Sequence, residues 1–307
     1  METSTRRQFL QSSAIVCAGA LLYPSFNFLK SAPKLSFSTL GCPDWSLIEF
    51  TNFAAANGYT GIELRGIQRE MDLTKAKDLN TPTARAETMK IMHDKGLQFV
   101  DLGSSATMHI ADPVERQKNM DEGKRFIDLA QQLNCPNVRV FPNNIPKDEQ
   151  QKAIALDLII KGILELADYA KGSKVNVLVE SHGDLVNISD LEYVMKATRH
   201  PNTGMIWDVT NMYTITKENP VDAYLKLKPY IKHTHIKNAK LVDGKIQYVL
   251  LNQGDVPIFK AIDALVGGGY QGYFSFEWEK LWHPEIGEPA VALADYSKTM
   301  RAHFEKF

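Results

Sequence analysis

VNVLVESHGD, residues 175–184, decides how the rest of the chain is read. Val175, Val177 and Val179, with Leu178 among them, form a short apolar run rich in β-branched residues. Apolar on both alternating faces, such a run predicts a strand buried on both sides, as in a parallel sheet. It ends in a carboxylate, Glu180, and Ser181, His182, Gly183 and Asp184 follow at once. Parallel α/β proteins place their chemistry where buried strands surface at their C-terminal ends. A structural strand ending in a polar turn would look the same in isolation. Recurrence separates the two readings: three more apolar strands downstream end in the same way.

Outward from this stretch the pattern strand, loop, helix repeats. Upstream, strands are expected at 35–40, 61–65, 97–103 and 137–141, and helices at 46–57, 81–95, 113–133 and 147–171. Downstream, strands are expected at 203–209, 231–237 and 272–279, and helices at 189–200, 221–227, 256–266 and 289–307. Pro82 stands in the first turn of the second helix and Gly96 just past its end. The fourth helix carries Ala155, Ile159, Ile163 and Leu166 at helical spacing. Eight βα units over residues 34–307 suit an eight-stranded parallel barrel, which typically needs about 250 residues. The expected fold class is therefore α/β, a (β/α)8 TIM barrel forming a single domain. A doubly wound open sheet is the competing architecture, but no GxGxxG follows the first strand.

Composition narrows the function classes. The chain has 307 residues, 44% hydrophobic and 23% charged, as expected of ordinary globular material. Its net charge of −1 offers no basic surface for nucleic acid. Cys17, Cys42 and Cys135 form neither a CxxC pair nor a metal-ligand spacing. Residues 1–33 read as an export signal and linker. Arg6 and Arg7 precede Phe9-Leu10 and the apolar stretch Ala14 to Leu22, a positive n-region followed by a short h-region. The paired arginines resemble a twin-arginine signal, which exports folded proteins. The expectation is a periplasmic protein without stable membrane insertion once the signal is removed, cleaved near Ala18-Gly19-Ala20. A retained N-terminal anchor is the alternative. Without Glu2, Arg6, Arg7 and Lys30 the net charge moves from −1 to −3.

The last four strands carry Glu180, Asp208, His235 and Glu277 late in their length, separated by 28, 27 and 42 residues, each about one βα unit. Consecutive units are neighbours around a barrel, so these side chains can converge at its mouth. Three carboxylates and an imidazole suit one divalent ion, Mn²⁺ first, with Mg²⁺, Co²⁺ or Zn²⁺ as alternatives. Without a cation, three buried carboxylates would repel one another. His182 lies two residues beyond Glu180 and reads as a substrate contact. His233 and Lys237 share a face with His235, and Lys237 is placed to hold a hydroxyl or an oxyanion. Arg139 lies on the fourth strand. Glu63 and Arg65 alternate with apolar neighbours on the second, where Glu63 suits a structural role equally well. Trp45 and Trp278 stand at strand ends, where aromatic faces suit sugar C–H surfaces. His109 belongs to a loop that suits a lid, and His93, His200 and His303 read as surface residues of helices.

VLVESHGD, IWDVTN, HTHIKNAK and FSFEWE, together with TLGCPDW at 39–45 and GIELR at 61–65, resemble the xylose isomerase-like TIM-barrel superfamily, the sugar phosphate isomerase/epimerase group. The resemblance runs from about Leu35 to the C-terminus. It implies that Glu180, Asp208, His235 and Glu277 ligate one divalent metal, and that Glu180 and Glu277 form an acid/base pair across a bound sugar. Many members carry His three residues after the Asp of the sixth strand. Here that position is Asn211, counted among the substrate contacts. The implied activity is isomerisation or epimerisation of a keto-sugar through an enediolate. The alternative on the same centre is a lyase, dehydratase or keto-glycoside-cleaving reaction, in which proton removal expels a β-substituent. A DNA nuclease of the apurinic-site type would need more ligands and a basic groove, and a non-catalytic sugar-binding barrel would not need the four ligands. The expected partner is a small carbohydrate; homo-oligomer formation is left open.

Overall fold

The computed structural model describes residues 33–307. All of the expected export segment except Pro33 lies outside the described residues. Eight parallel strands form the barrel: β1 (Leu35–Ser38), β2 (Gly61–Leu64), β3 (Gln98–Thr107), β4 (Asn137–Phe141), β5 (Asn176–Glu180), β6 (Thr203–Asp208), β7 (Ile231–Ile236) and β10 (Phe274–Phe276). Each pairs with its sequence neighbours, and β10 returns to β1 through Leu35↔Phe274, Ser36↔Ser275 and Phe37↔Phe276. The barrel is therefore closed, and the (β/α)8 architecture expected from the sequence is the one observed. Closure leaves no strand edge exposed.

The helices sit where the apolar periodicity placed them, with ends set by capping. Ser46 opens Leu47–Ala56 with a reciprocal capping box to Glu49. Thr81 caps Pro82–Asp94, and Asp112 caps Pro113–Gln132. Asp148, rather than Lys147, opens Glu149–Tyr169, because its carboxylate accepts from Gln151 N. The core lies between strands and helices. Phe37, Phe50, Ile62, Phe126, Ile159 and Ile163 are fully buried there. The closing helix, Pro289–Phe304, is fastened by Tyr59 Oη donating to Leu293 O (2.6 Å), by Tyr296 Oη donating to Phe274 O (3.1 Å), and by Tyr296 stacked on Phe276.

Two elements escaped the sequence reading. Val209–Thr216 is a helix, although its β-branched residues favour strand. Asp208 decides it, because its side chain accepts from Asn211 N (2.8 Å) and caps the first turn. The second is an antiparallel hairpin, β8 (Asn238–Val242) and β9 (Lys245–Val249), turning at Asp243-Gly244 with both residues at positive φ. Asp-Gly is a strong hairpin signal, and it was present in the sequence. Strand β3 runs to Thr107, beyond the expected Gly103, whereas the eighth barrel strand contracts to Phe274–Phe276. No helix among the described residues is long and apolar enough to cross a membrane.

Candidate metal and substrate site

The period of two along β7 puts His233, His235 and Lys237 on one face, and that face looks into the barrel. All three are essentially fully buried. The imidazole of His235 faces two groups of carboxylates. Its Nδ1 lies 3.1 Å from Glu180 Oε1, 3.2 Å from Glu277 Oε2 and 3.8 Å from Asp208 Oδ2. Its Nε2 lies 3.0 Å from Glu63 Oε2. The same Glu63 oxygen meets His233 Nε2 at 2.9 Å and accepts from Ser275 Oγ at 3.0 Å. Where most such barrels fill their interior with branched aliphatic side chains, this one carries a hydrogen-bonded polar column.

Glu180, Asp208, His235 and Glu277 offer one ligand atom each, and those atoms lie within 4.8 Å of one another. The cluster expected from the strand ends is thus brought together. Asp208 Oδ2 makes no hydrogen bond, although Lys237 Nζ stands 2.9 Å away as an ion-pair partner. An orphaned buried carboxylate oxygen within an O₃N donor set fits a divalent ion. These four residues would hold it, and Glu63 would fix the ring of His235 from behind by accepting its Nε2 proton. Glu63→Gln is therefore expected to weaken divalent-ion binding by about 10- to 100-fold. Calorimetric titration with Mn²⁺, alongside an unchanged circular dichroism spectrum, checks it.

The electrostatics are those of a site that balances charge. Burial works against the ionised form of Glu63, but His235 and His233 outweigh it and hold the carboxyl below the ordinary range. Burial lowers His235, and Glu277, Glu63 and Glu180 more than reverse this, raising it well above the usual imidazole value. A divalent ion held by this cluster would take the neutral imidazole. Glu277 is held well below the carboxylate range because His235 and Lys237 overcome its burial. Asp208 is pushed up to about 7 by burial, against the pull of Lys237.

Above the cluster lies a cavity of about 230 Å³, lined among others by Arg139, Phe141, Glu180, His182, Glu277 and Glu279. Arg139 Nη1 spans the two glutamates, 3.2 Å from Glu180 Oε2 and 3.8 Å from Glu277 Oε1, with its guanidinium 4.0 Å from the Phe141 ring centroid. His182 packs on Phe141, and its Nδ1 meets Asn143 Oδ1 at 2.8 Å. Gly183 makes that placement feasible. It sits at φ +62°, and a Cβ there would stand 2.9 Å from Asn143 Cα, so the loops after β4 and β5 close on each other only over glycine.

Four expected substrate contacts lie elsewhere. Trp45 packs on Phe53, beside Glu49 and Asn52 of Leu47–Ala56, and does not line the cavity. Trp278 is buried, stacked on Phe276, with its Nε1 donating to Gly287 O. Its outward-facing register, opposite to Glu277 and Glu279, places it in the core. Asn211 donates to Ser181 O and lines the cavity nowhere. Lys237 does not line the cavity: it is buried, donates to Glu277 and Glu279, and is ion-paired with Asp208. His303, expected at the surface, is largely buried and meets Asp263 Oδ1 at 2.6 Å. Conversely, Glu279 and the exposed Trp282 line the cavity unexpectedly. The alternation Ser275, Glu277, Glu279 carried the signal for the former. Trp282 follows the strand in a loop and left no periodic signal.

Comparison with known proteins agrees with this fold. The chain is 27% identical over 211 residues to the 3-dehydroshikimate dehydratase of Bacillus anthracis, covering 64% of this chain and 69% of that protein. It is 26% identical over 159 residues to the uncharacterized protein YihM of Escherichia coli strain K12, covering 50% of this chain. That match spans 46%, about half, of the length of YihM. Among solved structures, the IOLI protein with a bound zinc atom superposes with a TM-score of 0.74 at 16% identity, covering 89% of this chain and 99% of that one. The sequence profile of the xylose isomerase-like TIM barrel family matches residues 52–300. The chain belongs to the xylose isomerase-like TIM barrel family.

Proposed function

We propose that this protein is a divalent-metal-dependent enzyme acting on a small keto-carbohydrate, and that its reaction is an elimination. The observation that carries the reading is the pairing of Glu180 and Glu277 at one cavity floor, both beside His235 Nδ1 and both in reach of Arg139. A bound divalent ion would supply Lewis-acid polarisation of a substrate carbonyl. The chain supplies the rest. Glu277, held ionised by His235 and Lys237, takes the proton from the carbon next to the carbonyl. The C–H electron pair becomes the new C=C bond, and the bond to the β-oxygen breaks. The proton taken up by Glu277 passes to the departing oxygen, which leaves as water, or with its glycosyl group as an alcohol, and Glu277 is ionised again. Glu180, ion-paired to Arg139, lines the same cavity as a second carboxylate.

The dehydratase of Bacillus anthracis supports elimination over isomerisation, since its name describes loss of water. Epimerisation is the second reading, in which the same two glutamates would act on opposite faces of the substrate. Metal-free protein, reloaded with Mn²⁺, is incubated in D₂O with 3-dehydroshikimate and 3-keto-glycosides and followed by NMR. Elimination predicts a metal-dependent unsaturated product. Deuterium uptake or epimerisation without loss of a leaving group would replace it by the second reading, and inertness of the loaded protein toward every substrate would remove both.

A further inference from the structure

Arg65 stands at the end of β2, directly after Leu64, and is 5% exposed. Its backbone N–H donates to Thr39 Oγ1 at 2.9 Å, which fixes the turn. Its Nη1 donates to Gly103 O at 3.3 Å and its Nη2 to Ser105 Oγ at 2.9 Å. A guanidinium has five N–H donors, so three are left without an acceptor among the described residues. No carboxylate of the described residues comes within ion-pair distance, 4.0 Å. Glu122, Glu277 and Glu180 act on it only from farther off. Arg139, by contrast, is neutralised by Glu180.

Gly103 shows how close the two cations stand. A Cβ there would lie 2.7 Å from Arg65 Cδ and 3.3 Å from Arg139 Nη2. The missing side chain lets both guanidinium groups crowd one wall of the cavity. A buried charge with no counter-ion and a like charge beside it is unfavourable, and burial with the Arg139 charge lowers Arg65 to about 9. Arg65 also lines the same cavity as Glu180 and Glu277. The counter-charge is therefore missing at a place that a ligand reaches.

We infer that Arg65 is an anion subsite, and that the substrate carries a carboxylate seated against it while its reacting carbon faces Glu180 and Glu277. The substrate class is a polyhydroxylated keto acid rather than a neutral sugar. The inference rests on the proposed function for the placement of the reacting carbon, and on Arg65 alone for the charge.

Binding tests it without turnover. Mn²⁺-loaded protein is titrated calorimetrically with matched pairs differing only in charge: 3-dehydroshikimate against its methyl ester, and glucuronate against its methyl ester. The acid of at least one pair is expected to bind about 10- to 100-fold more tightly than its ester. Arg65→Met should bring the two within about twofold, and Arg65→Lys should retain part of the difference. The wild-type comparison stands even where a variant fails to fold. Absence of any acid preference in the wild type, or its survival in a folded Arg65→Met, overturns the inference. An acid preference in a protein that eliminates nothing would sink the proposed reaction and leave the subsite standing.

Discussion

Glu277→Gln will lower turnover by about 10²- to 10⁴-fold, the range that positioned general bases contribute. The side chain is isosteric and nearly fully buried, so the packing around Phe276 and Trp278 is preserved. What changes is the charge that His235 and Lys237 hold in place. An amide takes no proton from carbon, and it presents one carbonyl oxygen where the carboxylate presented two. Because Glu277 also belongs to the ligand cluster, Mn²⁺ affinity is measured beside the rate at saturating metal. A loss that persists at saturation belongs to proton transfer, and one that vanishes there belongs to metal holding. Activity within about threefold of wild type at saturating Mn²⁺ is too small a change for a general base and would remove Glu277 from the mechanism.

Lys237→Met carries the second large effect, and it falls on stability. The Lys237 ammonium is 1% exposed and touches Asp208, Glu277 and Glu279 at once, with the Tyr248 ring 5.5 Å away. Burial alone would lower it, but these three carboxylates raise it well above the usual lysine value. Methionine keeps the stem and removes the charge, leaving three carboxylates to face one another. The expected destabilisation of the metal-free protein is about 3–5 kcal/mol, as for breaking other buried pairs. Added divalent ion should recover part of it, because the ion supplies positive charge to the same carboxylates. Urea unfolding with EDTA and with Mn²⁺ reads both numbers. A metal-free loss below about 1 kcal/mol would be that of a surface ion pair, and Lys237 would then be no counter-ion of the cluster.

The sequence made the barrel legible because its signals were local and repeated. Most strands are short runs rich in apolar residues, most helices have a cap or a Pro or Gly at an end, and eight such units leave few architectures. The carboxylate–imidazole cluster is legible for the same reason: Glu180, Asp208, His235 and Glu277 each stand at or beside the C-terminal end of a strand. The remainder depended on distance and direction. Glu63 looked equally structural because its two histidine partners lie 170 and 172 residues away. Residue type alone suggests Trp45 and Trp278 as sugar contacts, yet Trp45 packs on Phe53 and the register of Trp278 lays it on Phe276. Lys237 lies on the expected face but is buried among three carboxylates, because counting along a strand gives the face and not the partners. Asn211 was read through a neighbouring family pattern, while its side chain reaches back to Ser181 O.

The seam between β1 and β10 has a consequence for the order of assembly. Its partners Leu35 and Phe274 lie 239 residues apart in the chain, so the contact is among the most non-local in the molecule and closes late. Glu277 stands one residue beyond that seam. As the chain emerges N-terminus first, Glu180, Asp208 and His235 are made before the last strand, and only its arrival completes the set. An ion held by all four residues would therefore require the finished barrel, since a chain that ends before Phe274 lacks Glu277 and offers only three of the four ligands.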